Sequence, residues 1–546
     1  MSLTRIAIAL FLAASLLYLA TLTAFYSPDG MSFTMLIDAG DVSNPLWFQA
    51  EHLLYPTAGA AWAGLWGLLG TRPHVSLQVL NALAGAATVA FLFLGLAALL
   101  PRYRTAAVVG ALGLAVSYGH WLHATDVEDQ MLSNALLALA FWLLAVLLRD
   151  ESDTRSCWLL AVGVGLAQAG AVLIHMTAVL WVLPALIALL WLRRGRPLVA
   201  YLATLAVATG LPYLLVGVFR FGYVLPGDYV NWFLSAPGHG VWGRFSLGNV
   251  WTAARTLVEA FIYQQGGVRF GDLLCGQLDP ANVLAVAGFA VVGGFIVVLG
   301  GYVVLALSRP GTPGERRAAV TLTVWVAVYT LFNVYWAPED VQFWTVVLLP
   351  LWGLAALLVA KSRLLVAGNW LLETGSGNTQ YASRITHHAT RIILPPAFIA
   401  LLVALFIVNL TTAFWPRRDP ASNAGLQAAL CVGQHTTPAD LIVTPGWDWA
   451  SSYGPYFANR RVLSLVDTVL IAAEGDPARG RQLVDATIVE TRAAGGRVYV
   501  VRLFSLSETD TAWLQDTAGL SPADFDRPRQ PAYECQGETV WEWVGP

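Results

Sequence analysis

The sequence predicts an all-α polytopic membrane protein carrying a small α/β domain at its C-terminal end. Three observations lead there. The chain of 546 residues is 57% hydrophobic and only 12% charged, whereas soluble domains run at roughly 45–50% apolar and about 25% charged. Apolar runs of about 20 residues recur along it, each enough to cross a ~30 Å hydrocarbon layer. Past Phe414 the composition turns polar at PRRDPASN and stays conventional to the end.

The first run, Ile6 to Tyr26, follows Arg5 and is too long for the apolar part of a signal peptide, so it is expected to be an uncleaved anchor. Further spans are expected at Val75–Leu100, Ala106–Gly119, Met131–Leu148, Trp158–Leu173, Ala178–Leu192, Leu198–Val218, Val283–Leu307, Ala318–Tyr335, Thr345–Ala360 and Ile393–Phe414, about eleven in all. Basic residues alternate between connections. Arg102/Arg104, Arg149/Arg155, Arg193/Arg194/Arg196, Arg309/Arg316/Arg317 and Lys361/Arg363/Arg384/Arg391 all fall on one side. The opposite short loops hold acids, as in HATDVEDQ and APED. With the positive side cytoplasmic, the C-terminus lies outside. Thr57–Gly70 decides the count. It is too short to span, and treating it as an interfacial helix keeps every loop in agreement with the charge rule. Residues 27–74 then form one long outer loop.

Residues 416–546 are expected to form the outer α/β domain, with LIVTP, RVLSLV and RVYVVRLF as buried strands and RGRQLVDATIVETRAAGG as an amphipathic helix ending at Gly-Gly. Cys431 and Cys535 share it and are available to pair outside the cytoplasm, although spacing does not settle pairing. A second long outer loop, 220–280, is aromatic and offers Arg220, Arg244 and Arg269 to an anion, while GSGNTQYASRITHH reads as a linker. Net charge −3 says nothing useful about nucleic acid, and no basic stripe suggests it as a partner.

The candidate site is the loop DAGDVSNPLWFQAEHLLYP. It gathers Asp38, Asp41, Glu51, His52 and Tyr55 near a membrane surface, where charge is expensive and is therefore a functional candidate. Asp38 and Asp41 are three apart, so on one helical turn they share a face. One carboxylate taking a proton from an attacking hydroxyl, with a second orienting the acceptor or holding a cation, suits glycosyl transfer. Solvated acids at a helix start are the plainer alternative. On the same outer side lie His123, Asp126, Glu128 and Asp129 at the mouth of a span, and His175 near the end of another. One histidine among scattered acids is no ligand signature; no cofactor is named, and a divalent cation stays open.

In this order the elements resemble the C-type (GT-C) glycosyltransferases, in particular the branch related to protein O-mannosyltransferases. Asp38-Ala-Gly-Asp41 is similar to that branch's D-x-G-E element, with Asp in the Glu place, and His52-Leu-Leu-Tyr55-Pro56 to its H-P-P-x-x-P element without the paired prolines. SYGHWLHATDVEDQMLSNALLALAFWLLA and GLAQAGAVLIHMTAVL resemble its W-x-x-A-x-x-A-E-V-Y-x-L-N-A-L-L and G-L-x-x-x-x-H-x-T segments. YWAPEDVQFWTVVLLP is like the superfamily's outer-loop-to-span junction, with Gln342 where a basic residue is frequent.

The resemblance implies a hexosyltransferase in a bacterial plasma (inner) membrane, acting outside the cytoplasm. A polyprenyl-phosphate-linked sugar, of mannose type, would be the donor and a hydroxyl of a protein, lipid or polysaccharide the acceptor. The mechanism would be inverting, with Asp38 or Asp41 as base and Glu51, His52, Tyr55, His123, Asp126, Glu128, His175, Arg244 and Arg269 binding substrate. The rivals are a secondary transporter of a lipid or small solute, which usually shows internal repeats that are not evident here, and an inactive glycan-binding scaffold.

Overall fold

The computed structural model describes residues 2–149, 154–191, 195–235, 243, 245–264, 280–308, 313–368, 396–446 and 448–544. The chain divides into two compact units. Met1–Leu22, Val42–Ala236 and Trp242–Trp415 belong to the first, and Thr23–Asp41 and Pro416–Pro546 to the second.

The helices up to the boundary are α1 (Leu3–Ala20), α2 (Pro28–Ala39, in the second unit), α3 (Tyr55–Gly67), α4 (Pro73–Leu99), α5 (Arg104–Val116), α6 (Tyr118–Thr125), α7 (Gln130–Arg149), α8 (Thr154–Ile174), α9 (Val182–Trp191), α10 (Gly195–Phe221), α11 (Pro226–Ser235), α12 (Leu247–Glu259), α13 (Pro280–Ser308), α14 (Pro313–Trp336), α15 (Val341–Gly368) and α16 (Pro396–Arg417). Among the described residues nine helices are long and apolar enough to cross a membrane: α1, α4, α7, α8, α10, α13, α14, α15 and α16. The protein is a multi-pass integral membrane protein. Large apolar side chains on α10 and α13, including Val207, Phe219 and Val297, point outward, as expected of surfaces that meet lipid. By contrast α15 is almost wholly enclosed.

Three expected spans take other forms. The first helix stops at Ala20, not Tyr26, because the chain from Thr23 joins the second unit. The run at Ala178–Leu192 is a 3₁₀ turn, Met176–Trp181, followed by the ten-residue α9, shorter than the spanning set. The run at Ala106–Gly119 becomes α5 and α6, which meet at Ser117 with a bend of 59°. As expected, α3 falls outside the spanning set.

The bend is supported by hydrogen bonds. A break inside an apolar bundle frees backbone groups that water cannot reach, so the protein must satisfy them. Tyr118 and Gly119 donate their N–H groups to the carbonyls of Phe261 and Ala260 at 3.1 and 2.8 Å. Asn409, fully buried on α16, donates to the carbonyls of Val116 and Phe261 at 2.9 and 3.0 Å and accepts from Tyr263 N–H at 2.9 Å. Ser117 Oγ donates to the Gly113 carbonyl and accepts from Trp352 Nε1. Gly113 is required here: a Cβ would lie 2.2 Å from the Trp352 ring.

In the second unit, α17 (Ala424–His435), α18 (Trp449–Tyr453), α19 (Pro477–Ala493) and α20 (Glu508–Ala518) accompany a sheet of β1 (Leu441–Thr444), β2 (Arg461–Ser464), β3 (Val498–Val500), β4 (Arg529–Cys535) and β5 (Glu538–Trp543). Its order is β2-β1-β3-β5-β4. The first three strands are parallel, and β5 runs antiparallel to both β3 and β4. Strand alternation divides the core. Leu441 and Val443 pack with Val484 and Ile488 of α19 and Leu514 of α20, whereas Ile442 packs with Val432 of α17. Cys431 and Cys535 are disulfide-bonded, tying α17 to β4. The segment Thr23–Asp41 is held on this unit. Asn423 Nδ2 donates to the Ala24 carbonyl, Tyr453 OH both donates to Tyr26 O and accepts from Tyr26 N, and Met31 is buried among Leu426, Ala429 and Tyr456.

Replacing Asn409 with Leu, a volume-compatible apolar side chain, should strand the Val116 carbonyl and the Tyr263 N–H, while the Phe261 carbonyl keeps Tyr118 N–H. Each buried unsatisfied group costs about 1–3 kcal/mol, so the purified variant should unfold at least about 2 kcal/mol more easily in denaturant titrations. Topology is checked by labelling. In a Cys157→Ser/Cys275→Ser background that keeps the disulfide, Ser43→Cys and Ser505→Cys should both react with an impermeant thiol reagent from outside intact cells. Reaction at only one would overturn a shared non-cytoplasmic side.

Candidate active site

The bend at Ser117 aims α6 at the head of α7, and the short turn between them carries Asp126, Val127, Glu128 and Asp129. All three acids are buried. Asp126 Oδ1 accepts from Val127 N–H at 2.7 Å, and its carbonyl accepts from Asn81 Nδ2 of α4 at 2.9 Å. Glu128 faces the buried His123, with His123 Nδ1 3.7 Å from its Oε1. Asp129, 1% exposed, is in direct contact through Oδ2 with His52 Nδ1.

His52 ends a 3₁₀ turn, Ala50–His52. This turn is fixed from two sides: Tyr213 OH donates to the Ala50 carbonyl at 2.7 Å, and Leu54 N–H to the Leu173 carbonyl at 2.8 Å. The second bond anchors it on the end of α8, where His175 follows in extended backbone and caps the next 3₁₀ turn. The His52 and His175 rings lie 5.1 Å apart at 67°. His175 Nδ1 is 2.6 Å from Thr177 Oγ1, and its Nε2 is 3.3 Å from the Gln130 amide. Thr345 Oγ1 of α15 lies 3.3 Å from Gln130 Oε1 and accepts from Asn134 Nδ2 at 3.1 Å. A cavity of about 10 Å³, room for roughly one water, opens beside His175, lined also by Ser133, Tyr329 and Asn333.

Burial works against the Asp129 charge, but the charge and direct contact of His52 outweigh it and hold its carboxyl below the usual range. Burial drives His175 down to about 4 despite the opposing pull of Asp129, so its imidazole is neutral at neutral pH. The fully buried Tyr55 phenol is raised well above its ordinary value, by burial first and then by the charges of Asp129, Glu128 and Asp126. The cluster is thus a carboxylate flanked by two imidazoles, able to exchange protons or bind a cation.

Of the sequence candidates, His52, Tyr55, His123, Asp126, Glu128 and His175 lie in this neighbourhood, and Glu51 is half-buried beside them in the chain. Asp38 and Asp41 are exposed and belong to the second unit, Asp38 in the last turn of α2 and Asp41 just beyond its left-handed cap Gly40. Arg244, Arg269 and the linker GSGNTQYASRITHH lie outside the described residues. From sequence, Asp129 stood only as the end of the acidic run DVED and had no role of its own, and Gln130 and Thr345 carry no charge to draw attention.

Residues 54–199 match the family model described as the N-terminal domain of the protein O-mannosyl-transferase TMEM260. That stretch includes Tyr55, the acidic turn and His175. Among curated proteins none matches significantly. Solved structures do. ArnT from Cupriavidus metallidurans bound to undecaprenyl phosphate is 15% identical with a TM-score of 0.57, covering 99% of both chains. Its apo state is 14% identical at 0.58, covering 100% of both. The Archaeoglobus fulgidus oligosaccharyltransferase is 10% identical at 0.58, covering 96% of this chain and 73% of that one. The chain has the GT-C fold. At these identities the solved structures speak for architecture alone.

Asp129→Ala should leave His52 without its buried partner. Breaking a buried pair costs about 3–5 kcal/mol, which should appear as a lower unfolding midpoint of the detergent-solubilised chain, with Asp129→Asn milder.

Proposed function

We propose that this chain is a membrane glycosyltransferase that moves a hexose, of mannose type, from a polyprenyl-phosphate carrier to an acceptor hydroxyl on the non-cytoplasmic side. The observation that carries the reading is the full-length GT-C fold, shared with an ArnT structure that holds undecaprenyl phosphate. The match of residues 54–199 to an O-mannosyl-transferase model supports the sugar class. The disulfide between Cys431 and Cys535 supports placing the second unit in an oxidising compartment.

In this reaction the acceptor oxygen attacks the anomeric carbon, its bond to the phosphate oxygen breaks, and the polyprenyl phosphate leaves with the bonding pair. The configuration inverts. A carboxylate takes the acceptor proton, and Asp38 and Asp41 are the candidates. Both are exposed, so a hydroxyl can reach them. The acids and histidines around Asp129 are proposed to position substrate; the remaining sequence candidates Arg244 and Arg269 keep their proposed role as anion contacts.

The test is transfer of radiolabelled mannose from a polyprenyl-phosphate donor in proteoliposomes. Loss of a general base typically lowers rate about 10²–10⁴-fold. Asp38→Asn, Asp41→Asn or both should therefore fall by that order with expression intact, and Glu339→Gln should be milder. Near-normal turnover in the double variant would remove the first-loop aspartates as bases, and absence of transfer by the wild type from any polyprenyl-phosphate sugar would overturn the function.

A further inference from the structure

We propose that His52, Asp129 and His175 form a binding site for a divalent transition-metal cation of the Zn²⁺ class. Three separate segments of chain converge to make it: the 3₁₀ turn before α3, the turn before α7 and the exit of α8. Each residue offers one ligand atom, and these atoms all lie within 4.8 Å of one another. A tetrahedral site with bonds of about 2.0–2.1 Å separates its ligand atoms by roughly 3.4 Å. A pair at that limit must therefore close by up to about 1.4 Å, and the His52–Asp129 pair, now in direct contact, must open to admit the ion.

The donor set fits such a cation. Two imidazoles and one carboxylate are a common arrangement for Zn²⁺ and for Fe²⁺, and three protein ligands leave coordination positions open. The surroundings fit as well. A metal-bound histidine is ordinarily fixed through its other ring nitrogen; His175 Nδ1 sits 2.6 Å from Thr177 Oγ1, to which it would donate once metal takes Nε2, giving up the long 3.4 Å contact in which it accepts from Thr177 N–H. Metal at Nε2 would displace the longer 3.3 Å contact with Gln130, whose amide retains Thr345. Asp129 and His175 are enclosed, while His52 is 20% exposed. The open positions would thus face the less enclosed side, where water or a phosphate oxyanion can enter. The other grouping of metal-capable side chains among the described residues, Cys431, His435 and Cys535, has both sulfurs in a disulfide and is not a competing site.

The experiment uses the full chain in detergent. It measures metal content by mass spectrometry after dialysis, then Co²⁺ titration of chelator-treated protein followed by visible absorbance. About one equivalent per chain and a saturable Co²⁺ band are expected. Both should be lost in His175→Ala and His52→Ala, and Thr177→Val should weaken Co²⁺ binding about 10–100-fold, as for other groups that orient a metal-bound histidine. Asp129→Asn, which keeps side-chain size, serves if the alanine variants do not fold; it too should lose the band. A folded wild type with neither metal nor Co²⁺ band would overturn the site, as would an unchanged band in folded Asp129→Asn. Because no donor or acceptor enters these measurements, the site and the transferase reading fail or survive separately.

Discussion

A helix cannot break within an apolar bundle unless its freed backbone groups find new partners, and the first unit is organised around one such break. At Ser117 the partners are the carbonyls of Ala260 and Phe261 and the amide of Asn409. Because Asn409 bonds both Val116 and the 261–263 turn, it joins α16, the α5–α6 corner and the residues after α12. The bent chain then delivers α6, with His120 and His123, toward the acidic turn ahead of α7. Without the bend the same residues would continue along a straight span, and Asp126, Glu128 and Asp129 would emerge elsewhere.

Burying three carboxylates beside apolar helices is unfavourable unless each is compensated. Here compensation differs for each. Asp126 takes a backbone N–H, Glu128 faces His123, and Asp129 sits between the imidazoles of His52 and His175. The arrangement depends on His52 being held in place, which the bonds from Tyr213 and to Leu173 accomplish. Rigid support of this kind holds the side chains of the cluster in a fixed arrangement.

The second unit is more than the chain after the last span. Through Tyr26, Met31 and the Ala24 carbonyl it takes up the segment carrying Asp38 and Asp41. A loop that reads as an appendage of the first span is therefore structurally part of the C-terminal unit. Its sheet is covered on both faces, and the disulfide fastens α17 to an edge strand, β4.

The sequence alone determined the features that depend on local pattern. Long apolar runs specified the spans because a bilayer sets their length. The shortness of the Thr57–Gly70 run marked α3 as something else, and apolar runs such as LIVTP located β1, β2 and β3. Tertiary structure decided what depends on distant partners. The hairpin of β4 and β5 was hidden because β4 holds Pro531 and mostly exposed side chains. The break at Ser117 was hidden because its partner, Asn409, lies almost three hundred residues away. The role of Asp129 was hidden for the same reason: it comes from His52 and His175, which reach it only once the turn before α3, the head of α7 and the end of α8 have packed. Periodicity reports which face of an element is apolar, but which buried polar groups will meet is decided by packing.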